Sequence, residues 1–336
     1  MKKMIFLFFV SAANLSAQFN TLPLLEKYCS LYPENPASDN EDWFNPDFST
    51  FYKKLRPSFF HKIGKKIGFG FESSWDALMF RDLLDRVLSQ RKSLKFNENI
   101  QTLLVKPDDR CIIWGDVHGA FHSLVRCLLE LHGKGEIDNN LIISSNTIYF
   151  IFIGDLISRS PYSLEVLTIV LLLMERNPSK VFYLQGNHEH NAYWENFSMR
   201  GALNERAKDF KEVEDKTICL SNKINTFFNT LPKTLKIQYS NQRKEIIYCA
   251  HSGVRSDLAG ASNVEVLIVG EQRLKVVKPT KGLEFGGFNH GTTQWSLISC
   301  PIGIYKKYFQ FHYDSFVMLT IKNDVADSTL THFYQD

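Results

Sequence analysis

Residues 111–119 read CIIWGDVHG, residues 147–160 read TIYFIFIGDLISRS, and residues 180–189 read KVFYLQGNHE. Each is a short run of β-branched and aromatic residues that stops at a glycine followed by polar side chains, as a buried strand does when it enters a turn. Between them lie HSLVRCLLELH (122–132) and YSLEVLTIVLLLMER (162–176), with apolar residues at helical spacing. The order strand–helix–strand–helix–strand predicts α/β units with parallel strands. A fourth run, EIIYCAHSG (245–253), ends in the same way. Open α/β sheets bind ligands beyond the carboxyl ends of their strands, and all four polar clusters fall there.

Downstream, residues 264–270, 293–299 and 316–321 read as further strands. Upstream, residues 33–47 are rich in Pro, Asn and Asp, and 75–88 (WDALMFRDLLDRVL) has helical spacing, with Ser73 or Ser74 placed to cap it. This predicts a helical leader over 18–105 packed on a domain over 106–336. The first residues, MKKMIFLFFVSAANLSA, carry Lys2 and Lys3, then the apolar run 4–10, then small residues. That is the order of a secretory signal peptide, with cleavage expected at Ala17 and Ala12 as the second site. The run is too short for a membrane span of roughly 20 residues. A secreted or periplasmic protein with no stable membrane anchor after cleavage is therefore expected.

The 336 residues are 44% hydrophobic, which supports a large core and excludes a disordered chain. Lys and Arg number 39 against 36 Asp and Glu, too even a balance for a nucleic-acid binder, so no nucleic-acid partner is expected. Removal of residues 1–17 leaves 37 basic against 36 acidic residues, so the basic excess belongs mostly to the export signal. None of the six cysteines forms a CxxC pair, and Cys111 and Cys249 sit in apolar runs as core residues.

Singly, a Gly-Asp pair is a turn and a lone His a core or surface residue. Together the four clusters offer carboxylate, imidazole and amide oxygen, donors suited to Mn²⁺, Fe²⁺ or Zn²⁺. Strand alternation would turn Asp116 and His118 to one side. In this order, GDVHG (115–119), GDLISR (154–159), GNHE (186–189) and AHSG (250–253) resemble the metallophosphoesterase superfamily, whose motifs are GDxHG, GDxxDRG, GNHE and a later His-bearing turn. Segments 163–178, FFNTLP (227–232) and WSLISCP (295–301) make it similar to the phosphoprotein phosphatase branch. The resemblance implies a calcineurin-like α/β fold, a central β-sandwich of mixed sheets flanked by helices. It implies two divalent metal ions (Mn²⁺, Fe²⁺ or Zn²⁺) that activate a water. Asp116 and His118 would bind the first metal, Asp155 would bridge, and Asn187 and His251 would bind the second. His188 would be the general acid, and Arg159 would hold phosphate oxygens.

The chain departs from the pattern at several positions. Ser158 stands where the family has an Asp that orients the catalytic His; an uncharged hydroxyl supports an imidazolium less well, which implies a lower pKa and a weaker general-acid role for His188. Ser160 replaces a glycine and Gln185 an arginine. The family's last histidine ligand aligns with Glu271, with His290 as the other candidate, and Arg255 is the candidate second phosphate-binding arginine. Tyr193, Trp194 and Phe197 could line a groove or simply pack. Arg200 and Glu205 resemble the family's helix after GNHE. The expected activity is phosphoric monoester hydrolysis on a phosphorylated protein. The alternatives are a small phosphoester or dinucleoside polyphosphate hydrolase, and a degenerate phosphatase fold that binds a partner without turnover.

Overall fold

The computed structural model describes residues 20–32, 34, 75–93, 99–195, 198–207, 213–239, 245–251, 264–270, 283–287, 293–297, 299, 313–322 and 325–334. The expected export signal, Ser73, Ser74 and Phe197 lie outside these residues. No helix among the described residues is long and apolar enough to cross a membrane.

The three opening runs form β2 (Arg110–Trp114), β3 (Ile148–Phe152) and β4 (Val181–Tyr183), joined through α3 (Phe121–Gly133) and α4 (Ser163–Arg176). β2, β3 and β4 pair in parallel, as the alternation with helices requires. β10 (Tyr313–Lys322) adds antiparallel to β2, and β11 (Val325–Tyr334) closes that edge, giving the order β11-β10-β2-β3-β4. The second sheet runs β1-β5-β6-β7-β9-β8, from β1 (Ile100–Leu104), β5 (Thr234–Tyr239), β6 (Glu245–Ala250), β7 (Val264–Val269), β8 (Leu283–Gly287) and β9 (Thr293–Leu297). It too mixes parallel and antiparallel pairs. This is the α/β sandwich of mixed sheets expected from the sequence. Strands β1, β5, β8 and β11 were not anticipated.

The strand pleat sorts side chains into two cores. Cys111 and Ile113 of β2 and Ile151 of β3 meet Leu235, Ile237, Ile247, Cys249 and Ile268 of the second sheet, filling the sandwich. Ile112, Trp114, Phe150 and Phe152 face the helices instead, with the Trp114 and Phe152 rings stacked at 4.7 Å.

The helical core includes α1 (Leu22–Leu31) and α2 (Ala77–Ser93). In α2, Ala77, Phe80, Leu84, Val87 and Arg91 share the buried face, at the spacing of one helical stripe. Asp76 caps it by accepting the Met79 N–H at 2.8 Å. Every residue of α4 from Ser163 to Met174 is buried, because α2 packs on one side and the sheet layer on the other. Tyr28 of α1 donates to Glu165 on α4 at 2.9 Å, and Glu165 also pairs with Arg206 of α6 (Ser198–Ala207), which follows the short α5 (Asn191–Trp194). The Trp75 ring lies 5.3 Å from that guanidinium, and its Nε1 donates to Thr168 on α4.

Candidate metal centre

The loops that leave β2 and β3 are laced together by backbone. The N–H groups of Val117 and His118 donate to the Asp155 carbonyl at 3.1 and 2.9 Å, and the Gly119 N–H donates to Leu156. Four non-glycine residues here have left-handed backbone: His118 (φ 46°), Asp155 (φ 51°), Ser158 (φ 72°) and Arg159 (φ 65°). Such strain persists only where surrounding contacts over-determine it, and it concentrates at functional sites. His118 and Asp116 do reach one site, their Nε2 and Oδ2 atoms lying 3.8 Å apart. They do so through this turn and not through the strand alternation expected from the sequence.

Six predicted residues converge. Asp116, His118 and Asp155 are fully buried, His251 and His188 almost so, and Asn187 is half-buried. Asp155 Oδ2 lies 3.1 Å from His251 Nε2, 3.8 Å from His118 Nε2 and 3.9 Å from His188 Nε2. His251 Nδ1 is 3.5 Å from Asp116 Oδ1, and its Nε2 contacts Asn187 Oδ1 at 2.8 Å. Two clusters with ligand geometry result: Asp116, Asp155 and His251, and His118, Asp155 and His188. Asp155 belongs to both. The grouping sets His188 beside His118, their rings T-shaped at 4.8 Å, and Asp116 beside both His118 and His251. Arg255, Glu271 and His290 lie outside the described residues.

The donors fit cations. His251 Nδ1 is buried and makes no hydrogen bond among the described residues, and the buried Asp155 Oδ2 faces three imidazoles at once. Separations of 3.8 and 3.9 Å are too long for hydrogen bonds. They suit neighbouring ligands that close on one ion, each about 2.0–2.2 Å from it. Gly270 packs so tightly that a Cβ would come within 2.5 Å of Asp116 Oδ1 and 2.6 Å of His251 Nδ1.

The charges tell the same story. Burial works against ionising Asp155, yet His251, His188 and His118 hold its carboxyl well below the usual range. Burial also opposes charge on His251, but Asp155 and Asp116 push it up to about 10. A proton on His251 thus neutralises part of the carboxylate pair, a task a divalent cation performs better. Burial, with the Arg159 charge and His188 adding to it, holds His118 well below its ordinary value. Burial brings His188 down to about 4, with Asp155 opposing and Arg159 reinforcing the fall. The Arg159 charge therefore acts on both imidazoles of that cluster.

Two residues that sequence reasoning left without a role shape the site. Ser299 accepts the Gly115 N–H through its hydroxyl at 2.9 Å and donates its own N–H to the Asp116 carbonyl at 3.0 Å. Only its place in WSLISCP marked it. Glu189 accepts from the backbone N–H groups of Asp155, Leu156 and Gly186. Burial, then the Asp155 charge, pushes its carboxyl up to about 7. Trp194 is buried and donates to Asn225, whereas Tyr193 is 42% exposed with its ring 5.9 Å from that of His188.

Comparison with known proteins places these observations. The family model described as calcineurin-like phosphoesterase matches residues 110–325. A curated relative from Anoxybacillus flavithermus, named bis(5'-nucleosyl)-tetraphosphatase PrpE [asymmetrical], is 30% identical over 158 residues. That match spans 46% of this chain and 61% of the relative's length. The fold is similar to that of a protein serine/threonine phosphatase from Saccharomyces cerevisiae with similarity to human phosphatase PP5. The TM-score is 0.54 and the identity 14%, covering 76% of this chain and 90% of that one.

Proposed function

The chain belongs to the calcineurin-like phosphoesterase family, and from that premise we propose that it is a two-metal hydrolase of phosphoric esters. The observation that carries this is Asp155, a fully buried carboxylate common to two donor clusters. A pair of divalent cations held there, Mn²⁺, Fe²⁺ or Zn²⁺, would supply Lewis-acid charge for the phosphate and a nucleophilic water at neutral pH. Asp116, His118, Asn187 and His251 would complete the ligand set, with Glu271 or His290 adding to it. The His188 N–H, donating to Asp155 Oδ1 at 2.9 Å, keeps that carboxylate turned toward the site. Arg159 orients phosphate oxygens through its fork of donors, with Arg255 as a second candidate. His188 would protonate the leaving oxygen, and burial, by disfavouring its charged form, makes it a reluctant holder of that proton.

A phosphorylated protein is the first substrate reading, on the strength of the phosphatase-like segments 163–178, 227–232 and 295–301. The 30% identity to a bis(5'-nucleosyl)-tetraphosphatase favours a second, asymmetric cleavage of a dinucleoside tetraphosphate. Purified protein supplied with Mn²⁺ is to be assayed on p-nitrophenyl phosphate, a phosphoserine peptide and diadenosine tetraphosphate. Metal-dependent turnover that Asp116→Asn lowers by at least about 100-fold is expected, since buried charge at the reacting centre supplies several kcal/mol. No turnover on any of the three by folded, metal-loaded protein would leave the non-catalytic binding reading. The export reading is checked separately, by whether the mature chain begins at Gln18.

A further inference from the structure

Glu189 is fully buried at the end of the GNHE run, and four donors fill its carboxylate. Oε1 accepts the Tyr183 hydroxyl at 2.8 Å and the Leu156 N–H at 3.0 Å. Oε2 accepts the Gly186 N–H at 2.7 Å and the Asp155 N–H at 2.9 Å. A carboxylate has about four lone-pair sites, so none is left for an ion or a substrate. The amides come from two loops: Asp155 and Leu156 follow β3, and Gly186 follows β4. These loops nest because two glycines face each other. A Cβ on Gly154 would lie 2.6 Å from the Gly186 nitrogen, and one on Gly186 would collide with Asp155.

Asp155 is thereby held at both ends. Its amide, on a left-handed backbone of φ 51°, is fixed by Glu189, and its Oδ1 by the His188 N–H. Only Oδ2 remains toward the two clusters. We infer that Glu189, backed by the Tyr183 hydroxyl, is a positioning residue that sets the separation of the two metal positions by stitching the loop of Asp155 to the loop of Asn187. This rests on the two-metal reading above. A glutamine substitutes poorly, because its NH₂ would face either the Asp155 and Gly186 amides or the Leu156 amide, donor against donor, and only the Tyr183 hydroxyl could turn to accept from it. A phenylalanine at 183 removes one donor and leaves the three backbone bonds.

The test reads metal spacing as well as activity. Wild type, Glu189→Gln and Tyr183→Phe are loaded with Mn²⁺. Each is followed by calorimetric titration, by metal content after gel filtration, and by the exchange-coupled electron paramagnetic resonance signal of a close Mn²⁺ pair. Residues behind metal ligands typically change metal affinity or activity by about 10- to 100-fold. Glu189→Gln is expected to keep its far-UV circular dichroism, lose the coupled signal in favour of isolated Mn²⁺, and retain closer to one ion than two. Tyr183→Phe is expected to weaken the second Mn²⁺ by about tenfold and recover the coupled signal at saturation. A coupled pair of unchanged strength and affinity in Glu189→Gln would overturn the inference. Should that variant not fold, unchanged second-ion affinity in Tyr183→Phe overturns it instead. A wild-type chain that takes up no coupled pair sinks the two-metal reading itself, a result visible before any variant is made.

Discussion

At Ser158 the backbone takes φ 72°, and the hydroxyl, fully buried, finds no hydrogen-bond partner among the described residues. Asp tolerates left-handed backbone better than Ser, and the motifs this chain resembles carry Asp there. Ser158→Asp is therefore expected to fold normally and to raise kcat on p-nitrophenyl phosphate by about 3- to 10-fold, part of what a well-supported general acid contributes. A steady-state assay reporting an equal or lower kcat would remove the idea that this position limits His188. Asp116, His118, Asp155, Asn187, His188 and His251 were legible because each stands just past an apolar run and next to glycine or another donor. Ser299 was not, since one serine among many says nothing until the fold sets its hydroxyl on the Gly115 amide. Glu189 was visible as a letter of a motif, but three of its four partners are backbone amides, which every residue carries alike.

At the scale of elements, α4 was the most legible, because an unbroken apolar stretch between Glu165 and Glu175 has no amphipathic face and must be covered all round. What covers it was hidden. The buried Glu165–Arg206 pair joins α4, behind the Asp155 loop, to α6, behind the Asn187 loop. Arg206→Ala leaves a buried carboxylate without its cation and is expected to cost about 3–5 kcal/mol in urea unfolding. Tyr28→Phe removes a single hydrogen bond to the same group and should cost about 1–3 kcal/mol. Equal, negligible losses would mean the pair is dispensable. Two of the unanticipated strands, β8 and β11, have a physical reason in common. β8 ends in Gly286 and Gly287, which disfavour a strand, and β11 carries the largely polar run DSTLTH, which lacks the apolar alternation of a half-buried strand. They are made by pairing, β11 against β10 over a register running from Tyr313↔Tyr334 to Lys322↔Val325.

Across the whole molecule, α1 and α2 contribute to the same apolar cluster as α3 and α4. Phe80, fully buried against Trp75, is a fair probe of that union. Phe80→Ala should cost about 3–5 kcal/mol and lower one cooperative thermal transition, whereas two separated transitions would show that the leader melts alone. Metal binding reaches the whole fold by mass action: Mn²⁺ at about 100 times its dissociation constant adds about 2.7 kcal/mol, raising Tm by several degrees over a chelated sample. Identical melts with EDTA and with Mn²⁺ would show that the buried donors hold no ion. The leader also bears on the order of synthesis. Trp75 bonds a residue 93 positions later, Tyr28 one 137 later and Arg91 one 139 later. Because chains otherwise tend to fold from the N-terminus as they emerge, these partners impose a wait. Until about half the polypeptide has left the ribosome, Leu25, Phe80 and Leu84 have nothing to bury against. That apolar surface is expected to stay open on the nascent chain, and because β10 pairs with the central β2, the final form can be reached only after translation is nearly complete.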